Sequence, residues 1–238
     1  MSRWIPTLLL LLASTVSAQT GSPDPSSGFL TDYSLLKPSM GGQVGQFIYV
    51  APDARARFGA INAVFVEQPA FAVAPDSKVS AMSPSDATLI ADTFKTLITE
   101  QLSPAYIIAV RPDPNVLTLR VALTNVHLQK PRRPLRSFTP VGMVLHAAKD
   151  AMENVMQKVD LTATVIQAEL LDDNSGQVLL ELYDARGNAA NSKQFTDWKQ
   201  VEDAMTLDAK RLKCNLDNAH LPPGAATNCW TIGATAAP

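Results

Sequence analysis

Residues 116–128, VLTLRVALTNVHL, alternate between two kinds of position. Leu117, Leu119, Val121 and Leu123 share one side, and Thr118, Arg120, Ala122 and Thr124 share the other. Successive side chains of a strand point to opposite faces, so the segment predicts a strand with one core face and one wetter face. We take it as the strand around which the domain is built. Residues 60–67 predict a second strand, with Ile61, Ala63 and Phe65 opposite Asn62, Val64 and Val66. Being apolar on both faces, it belongs inside the sheet. Shorter strands are expected at 46–50 and 106–110, with a glycine-rich turn at 40–45, a loop or turn at 51–57 and a proline-rich turn at 111–115.

The period changes at residue 83. Ser83 is placed to cap a helix, Pro84 suits its first turn and Asp86 favours its positive end. Ile90, Phe94, Leu97 and Ile98 recur at helical spacing until Ser103-Pro104 stops the run. A second helix is expected over 140–159. Val141, Leu145, Ala148, Met152, Val155 and Val159 form a coiled-coil-like seam, and Met143, Met152 and Met156 are expected as core filler, with an adaptable partner surface as the alternative. Strands at 161–171 and 178–185 flank the polar turn Asp172-Asp173-Asn174-Ser175-Gly176-Gln177, which predicts a hairpin. A last helix over 196–216 carries Trp198, Val201, Met205 and Leu212 on one side. The order predicts an α+β fold: a single domain with a mixed or antiparallel sheet of about five to six strands packed with three helices.

Composition narrows the setting. Arg3, the apolar run 8–13 and the small residues Val16 and Ala18 ahead of Gln19 read as a secretory signal peptide over 1–18. A flexible Ser/Pro/Gly tail is expected at 19–27, the domain at 28–218 and a C-terminal tail at 219–238. Residues 28–38 are too apolar to be left in water, so Phe29, Leu30, Tyr33, Leu35 and Leu36 are expected to clip this stretch onto the domain. The net charge of −2 gives no basic field for nucleic acid. In an exported chain, the two cysteines, Cys214 and Cys229, suggest one disulfide that ties down the C-terminal tail.

Three pieces in order carry a resemblance: Gly28-Phe29-Leu30-Thr31-Asp32-Tyr33-Ser34, the helix start Pro140-Val141-Gly142, and the hairpin from Glu169-Leu170-Leu171-Asp172 to Ser175-Gly176-Gln177-Val178-Leu179. Over residues 28–216 the chain resembles a bacterial envelope family catalogued as domain of unknown function 3313. The resemblance implies an exported protein, usually a predicted lipoprotein, with a small mixed α/β domain broadly akin to envelope domains of the curli-secretion and TolB N-terminal kind. The family has no assigned activity, so no catalytic residue is carried over. The chain departs from the pattern in lacking a lipid-bearing cysteine after the signal, so the lipid anchor is not carried over either.

Candidate chemistry is sparse. His127, His146 and His220 have no second histidine at helical ligand spacing, and no nucleophile-elbow, zinc-protease or phosphate-cradling motif is present. Cys214, His220 and Cys229 would be a zinc set of unusual spacing, against which the exported context favours a disulfide. Asp172-Asp173 reads as turn chemistry rather than an acid/base or calcium pair. Arg120, on the polar face of its strand, is expected in a cross-strand ion pair with Glu169 or Glu181 on the hairpin strands, with a clamp for a ligand carboxylate as the sharper reading. Lys130, Arg132, Arg133 and Arg136 make a basic loop that would touch an anionic membrane surface or remain a solvated loop. No cofactor is implied. The expected function is a non-enzymatic binding or interaction module in the periplasm or outside the cell, with an unknown envelope protein as partner. A carrier of a small or lipid-like ligand is the alternative, and a hydrolase with scattered site residues the third reading.

Overall fold

The computed structural model describes residues 22–39, 45–79, 81–128, 155, 159–160, 163–185, 198–222 and 224–233. In chain order the elements are β1 (Lys37–Pro38), β2 (Gln46–Val50), α1 (Ala54–Ala60), β3 (Ala63–Val66), β4 (Ala70–Val73), α2 (Pro84–Leu102), β5 (Ile107–Ala109), β6 (Leu117–Leu128), β7 (Val159–Asp160), β8 (Val165–Asp172), β9 (Gln177–Ala185) and α3 (Trp198–His220). The sheet runs β1-β2-β9-β8-β6-β3-β5, and β4 and β7 also pair with β6. β6 is antiparallel to β8 and β7 but parallel to β3 and β4, so the sheet is mixed and the fold is α+β.

β6 is long enough to change partners along its length. It pairs with β8 as far as Thr124 and with β7 from His127. Between them Asn125 takes φ 56°, a left-handed conformation that asparagine tolerates better than most residues, and its side-chain amide donates to the Ala163 carbonyl at 2.9 Å.

The core lies on the face of Leu117, Leu119, Val121 and Leu123. Against it pack Ile90, Phe94, Ile98 and Leu102 of α2 and Val201, Met205, Leu212 and Leu216 of α3, all buried. Each such side chain contributes about 1.5–3 kcal/mol on burial. The Ser83 hydroxyl caps α2 by accepting from the Asp86 N–H at 3.2 Å, as the sequence predicts.

Several expectations need correction. The sheet has nine strands among the described residues rather than five or six. The extra ones, β1, β4 and β7, are two to four residues long and gain their order from pairing with β2 or β6, which local sequence does not reveal. Residues 54–60 form α1 rather than a loop, because the burial of Ala54 and Phe58 pins a turn of chain that has no side-chain cap. Val159 is in β7, not at a helix end. α3 continues past residue 216 to His220, which is therefore helical. Order also begins before residue 28: Pro25–Ser27 is a turn of 3-10 helix capped by Asp24. The expected signal peptide, the 40–44 part of the glycine-rich turn, the basic residues Lys130, Arg132, Arg133 and Arg136, and the 140–159 helix apart from buried, helical Val155 and strand residue Val159 lie outside the described residues.

Candidate functional site

The face of β6 expected to be wetter is covered. Thr118, Ala122 and Thr124 are buried. Over this face and its neighbours on β8 and β9 lies the stretch 24–36, which we call the strap. Leu30 is buried with Phe47, Val165 and Tyr183, and Phe29, Tyr33 and Leu36 pack around them. Leu35 points away and is 40% exposed, against the expectation that it anchors.

Beneath the strap the register sets Arg120 beside Glu169 and Glu169 beside Glu181. Both glutamates are fully buried. Arg120 Nη1 donates to Glu169 Oε2 at 2.5 Å, its Nε lies 3.5 Å from Glu67, and its guanidinium sits 5.2 Å from the centre of the Phe29 ring. The Thr31 N–H donates to Glu169 Oε1 at 2.8 Å and the Asp32 N–H to Glu181 Oε1 at 2.9 Å. Burial pushes the Glu181 pKa up and the neighbouring Glu169 charge adds to the rise, against the N–H groups of Asp32 and Thr31. Gln167 completes the row: its amide donates to Ser27 Oγ at 2.8 Å and Thr124 Oγ1 at 2.9 Å, and its carbonyl accepts from Tyr33 Oη at 2.6 Å. Glu169, Glu181 and Gln167 each bond the chain's own strap. The Arg120–Glu169 pair is the cross-strand ion pair expected from the alternation of β6.

Two further polar clusters have equally local partners. In the hairpin turn, Asp172 accepts from the Asn174 N–H and the Ser175 hydroxyl and pairs with Arg57 of α1. Burial alone would raise its pKa, but these donors outweigh burial and hold it below the usual carboxylate range. At the end of α3, the His220 ring lies 4.3 Å from the Phe58 ring and tilted 53° to it, with Tyr106 Oη 3.2 Å from its Nε2. Tyr106 in turn donates to Asp217 at 3.0 Å. Burial pushes the His220 pKa down, with Asp217 opposing, and pushes the Tyr106 pKa up, with Asp217 adding. A tyrosine whose proton is held this firmly is a poor general base at neutral pH.

The open site lies at the far edge of the sheet. A groove of about 560 Å³ runs between Ile48, Val50 and Pro52 on one side and Ala219, Leu221 and Pro222 on the other. Its outer wall is the C-terminal tail. Cys214 and Cys229 form a disulfide, with Cα atoms 5.5 Å apart, which removes them as zinc ligands. Asn218 adds two hydrogen bonds to Thr227, from its Nδ2 to the carbonyl and from the Thr227 N–H to its Oδ1, each 2.8 Å. Val50 and Leu221 are 40% and 39% exposed, and both line the groove. The described lining holds no carboxylate, lysine or histidine, and its one charged residue is Arg55.

Sequence reasoning reached the disulfide and the Arg120 pair. It missed the groove, whose described walls come from Ser39 and residues 48–55 on one side and from the end of α3 and the tail up to Cys229 on the other. It missed the burial of Glu169 and Glu181 as well, since a glutamate alternating with leucines reads as solvent-facing until something covers it. Among the described residues no group of three metal-ligating side chains occurs, and no helix is long and apolar enough to cross a membrane.

The architecture is that of a single α+β domain whose helices cover one face of a mixed sheet and whose own N-terminal strap covers the other. The chain belongs to the family described as protein of unknown function (DUF3313), which matches residues 25–212. The match takes in the strap and stops short of the disulfide, so the tail wall of the groove lies beyond it. A search of curated proteins finds no match.

Proposed function

We propose that the protein is an exported, non-enzymatic binding module of the cell envelope, and that the groove beside the C-terminal tail is where it binds. The observation that carries this reading is the groove itself: an apolar, open concavity whose volume falls within the roughly 300–1,000 Å³ of small-molecule sites. Its described lining offers hydroxyls and amides but no general base, which favours binding over catalysis. The signal-like segment 1–18 supports export, and the basic run from Lys130 to Arg136 supports contact with an anionic envelope surface. The partner is an envelope component held in this groove.

The test is photocrosslinking in intact cells from a benzophenone side chain placed at Leu221, with the same group at Ile107 as a control. Ile107 is 61% exposed on β5, at the other edge of the sheet. Adducts specific to the groove position are expected. Equal labelling from both positions, or none from the groove, would overturn the reading.

A further inference from the structure

We infer that the groove takes a single-chain amphiphile with one negative charge: a long-chain fatty-acid carboxylate, its chain along the apolar walls and its head at Arg55. The inference rests on the reading of the groove as the binding site and deepens it.

Three observations converge. First, Val50 and Leu221 both line the groove with their apolar surfaces open to water, and Pro52 and Pro222 in the same lining are exposed as well. Leaving large aliphatic side chains hydrated is unfavourable, and an alkyl chain laid between them recovers that free energy. Second, Arg55 is exposed and has no hydrogen-bond or ion-pair partner among the described residues, whereas Arg57, two residues on, is paired with Asp172. Arg55 is thus the one cation in the described lining. A guanidinium offers two parallel N–H donors that match a carboxylate. One guanidinium balances one charge, so a carboxylate is matched, while a phosphomonoester at about −1.5 to −2 would be left partly uncompensated. Third, the wall is preformed. The disulfide and the doubled Asn218–Thr227 bond fasten Thr227 and Cys229 to α3 before any ligand arrives, which lowers the ordering cost of binding. The volume suits one alkyl chain; a two-chain phospholipid would have to leave one chain in water.

The experiment uses the exported, oxidised chain and the fluorescent fatty acid cis-parinaric acid, displaced by oleate or by oleyl alcohol. The two competitors have the same chain and differ in charge. Oleate should displace the probe at about tenfold lower concentration than the alcohol, the scale of one charge-assisted hydrogen bond. Arg55→Gln should abolish that difference by weakening oleate and sparing the alcohol. Val50→Asp and Leu221→Asp, both at exposed positions, should weaken all three ligands while the melting temperature holds. Cys214→Ser with Cys229→Ser should weaken them too, by releasing the wall. Equal displacement by oleate and alcohol, with both sensitive to Val50→Asp, would overturn the carboxylate assignment and leave the groove as a site. Binding of the probe that ignores Val50→Asp and Leu221→Asp, or no binding at all, would overturn the fatty-acid inference, and the crosslinking result then decides the fate of the groove.

Discussion

Residues 24–36 at one end of the chain and 221–233 at the other both lie on the domain without being strands of its sheet, yet they are held by opposite means. The strap is held by tertiary contacts alone: apolar anchors at Leu30 and Phe29, and backbone N–H groups aimed at two buried carboxylates. The tail is held by a covalent bond and one asparagine, with Arg211 donating to the Ile232 carbonyl at 3.3 Å further on. The strap covers the middle of the sheet, so freeing it would expose Glu169, Glu181 and Arg120 together. Freeing the tail exposes mainly one wall of a groove. A non-covalent fastening over the sheet is coupled to the stability of the whole domain, and a covalent one at the edge is coupled to local order.

The largest effect should come from Glu169→Ala. It takes the short contact from Arg120 and the acceptor from the Thr31 N–H. Breaking a buried pair costs about 3–5 kcal/mol, and since Arg120 is a third exposed and keeps Glu67 we expect about 2–3 kcal/mol. Urea denaturation should show one cooperative transition at a lower midpoint, and limited proteolysis should cut within 24–36. An unchanged midpoint would mean that the apolar anchors hold the strap without the carboxylates.

Next is the double change Cys214→Ser with Cys229→Ser. The separation of 15 residues sets an upper bound of roughly 3 kcal/mol in the chain-entropy view. Because the loop encloses no strand, the loss should appear mainly as faster hydrogen exchange over 221–233, with a smaller shift in the global midpoint than Glu169→Ala gives. A global shift as large as that from Glu169→Ala would erase the contrast between the two ends.

The two ends of the pH scale separate the strap carboxylate from the turn carboxylate. Glu181 has its pKa raised by folding, so its contribution to stability is complete below its ordinary value of 4.5 and is lost as pH rises through the raised value. Asp172 has its pKa lowered, so its contribution is present above 3.8 and is lost as pH falls through the depressed value. Glu181→Gln should therefore flatten the stability profile above pH 4.5, and Asp172→Asn should flatten it below pH 3.8. Thermal melts across pH would show a swapped pattern if the burial assigned to Glu181 were wrong.

The smallest effect is Tyr33→Phe, which keeps the ring and removes a half-buried hydroxyl that donates to Gln167, lies 2.7 Å from Ser27 Oγ and accepts long bonds from the Phe29 and Leu30 N–H groups. We expect about 1 kcal/mol by urea denaturation. A loss as large as that of Glu169→Ala would show that Gln167, rather than the glutamates, is the main fastening.

What could be read from the sequence was what depends on near neighbours. β6 shows in its alternation, α2 in Ser83-Pro84 and its apolar spacing, and the hairpin in its polar turn. The disulfide follows from two cysteines in a chain with a signal-like start. β4 does not show, because AFAV has no signature of its own and is a strand only where it runs parallel to β6. α1 does not show because Arg55, Ala56, Arg57 and Gly59 mask the two residues it buries. That Arg120 would meet a glutamate of the hairpin could be expected from the alternation, but which one is set by the β6–β8 register, which places it beside Glu169. That both glutamates would be dry could not be inferred, since the cover comes from residues more than 130 positions away. The strap's apolar content said that it docks, not where.

That separation also fixes an order of events. Thr31 meets Glu169 across 138 residues and Asp32 meets Glu181 across 149, while the disulfide spans 15. Contacts so distant close slowly, and a chain is made from its N-terminus. The strap is thus among the first parts of the domain to be synthesised and among the last to find its seat. Until β9 has been completed at Ala185, Phe29, Leu30 and Tyr33 lack the part of their seat that Tyr183 supplies, and Asp32 lacks Glu181. A chain stalled or truncated before β9 would carry that apolar triplet partly uncovered, and it is the species of this protein most in need of a holding chaperone.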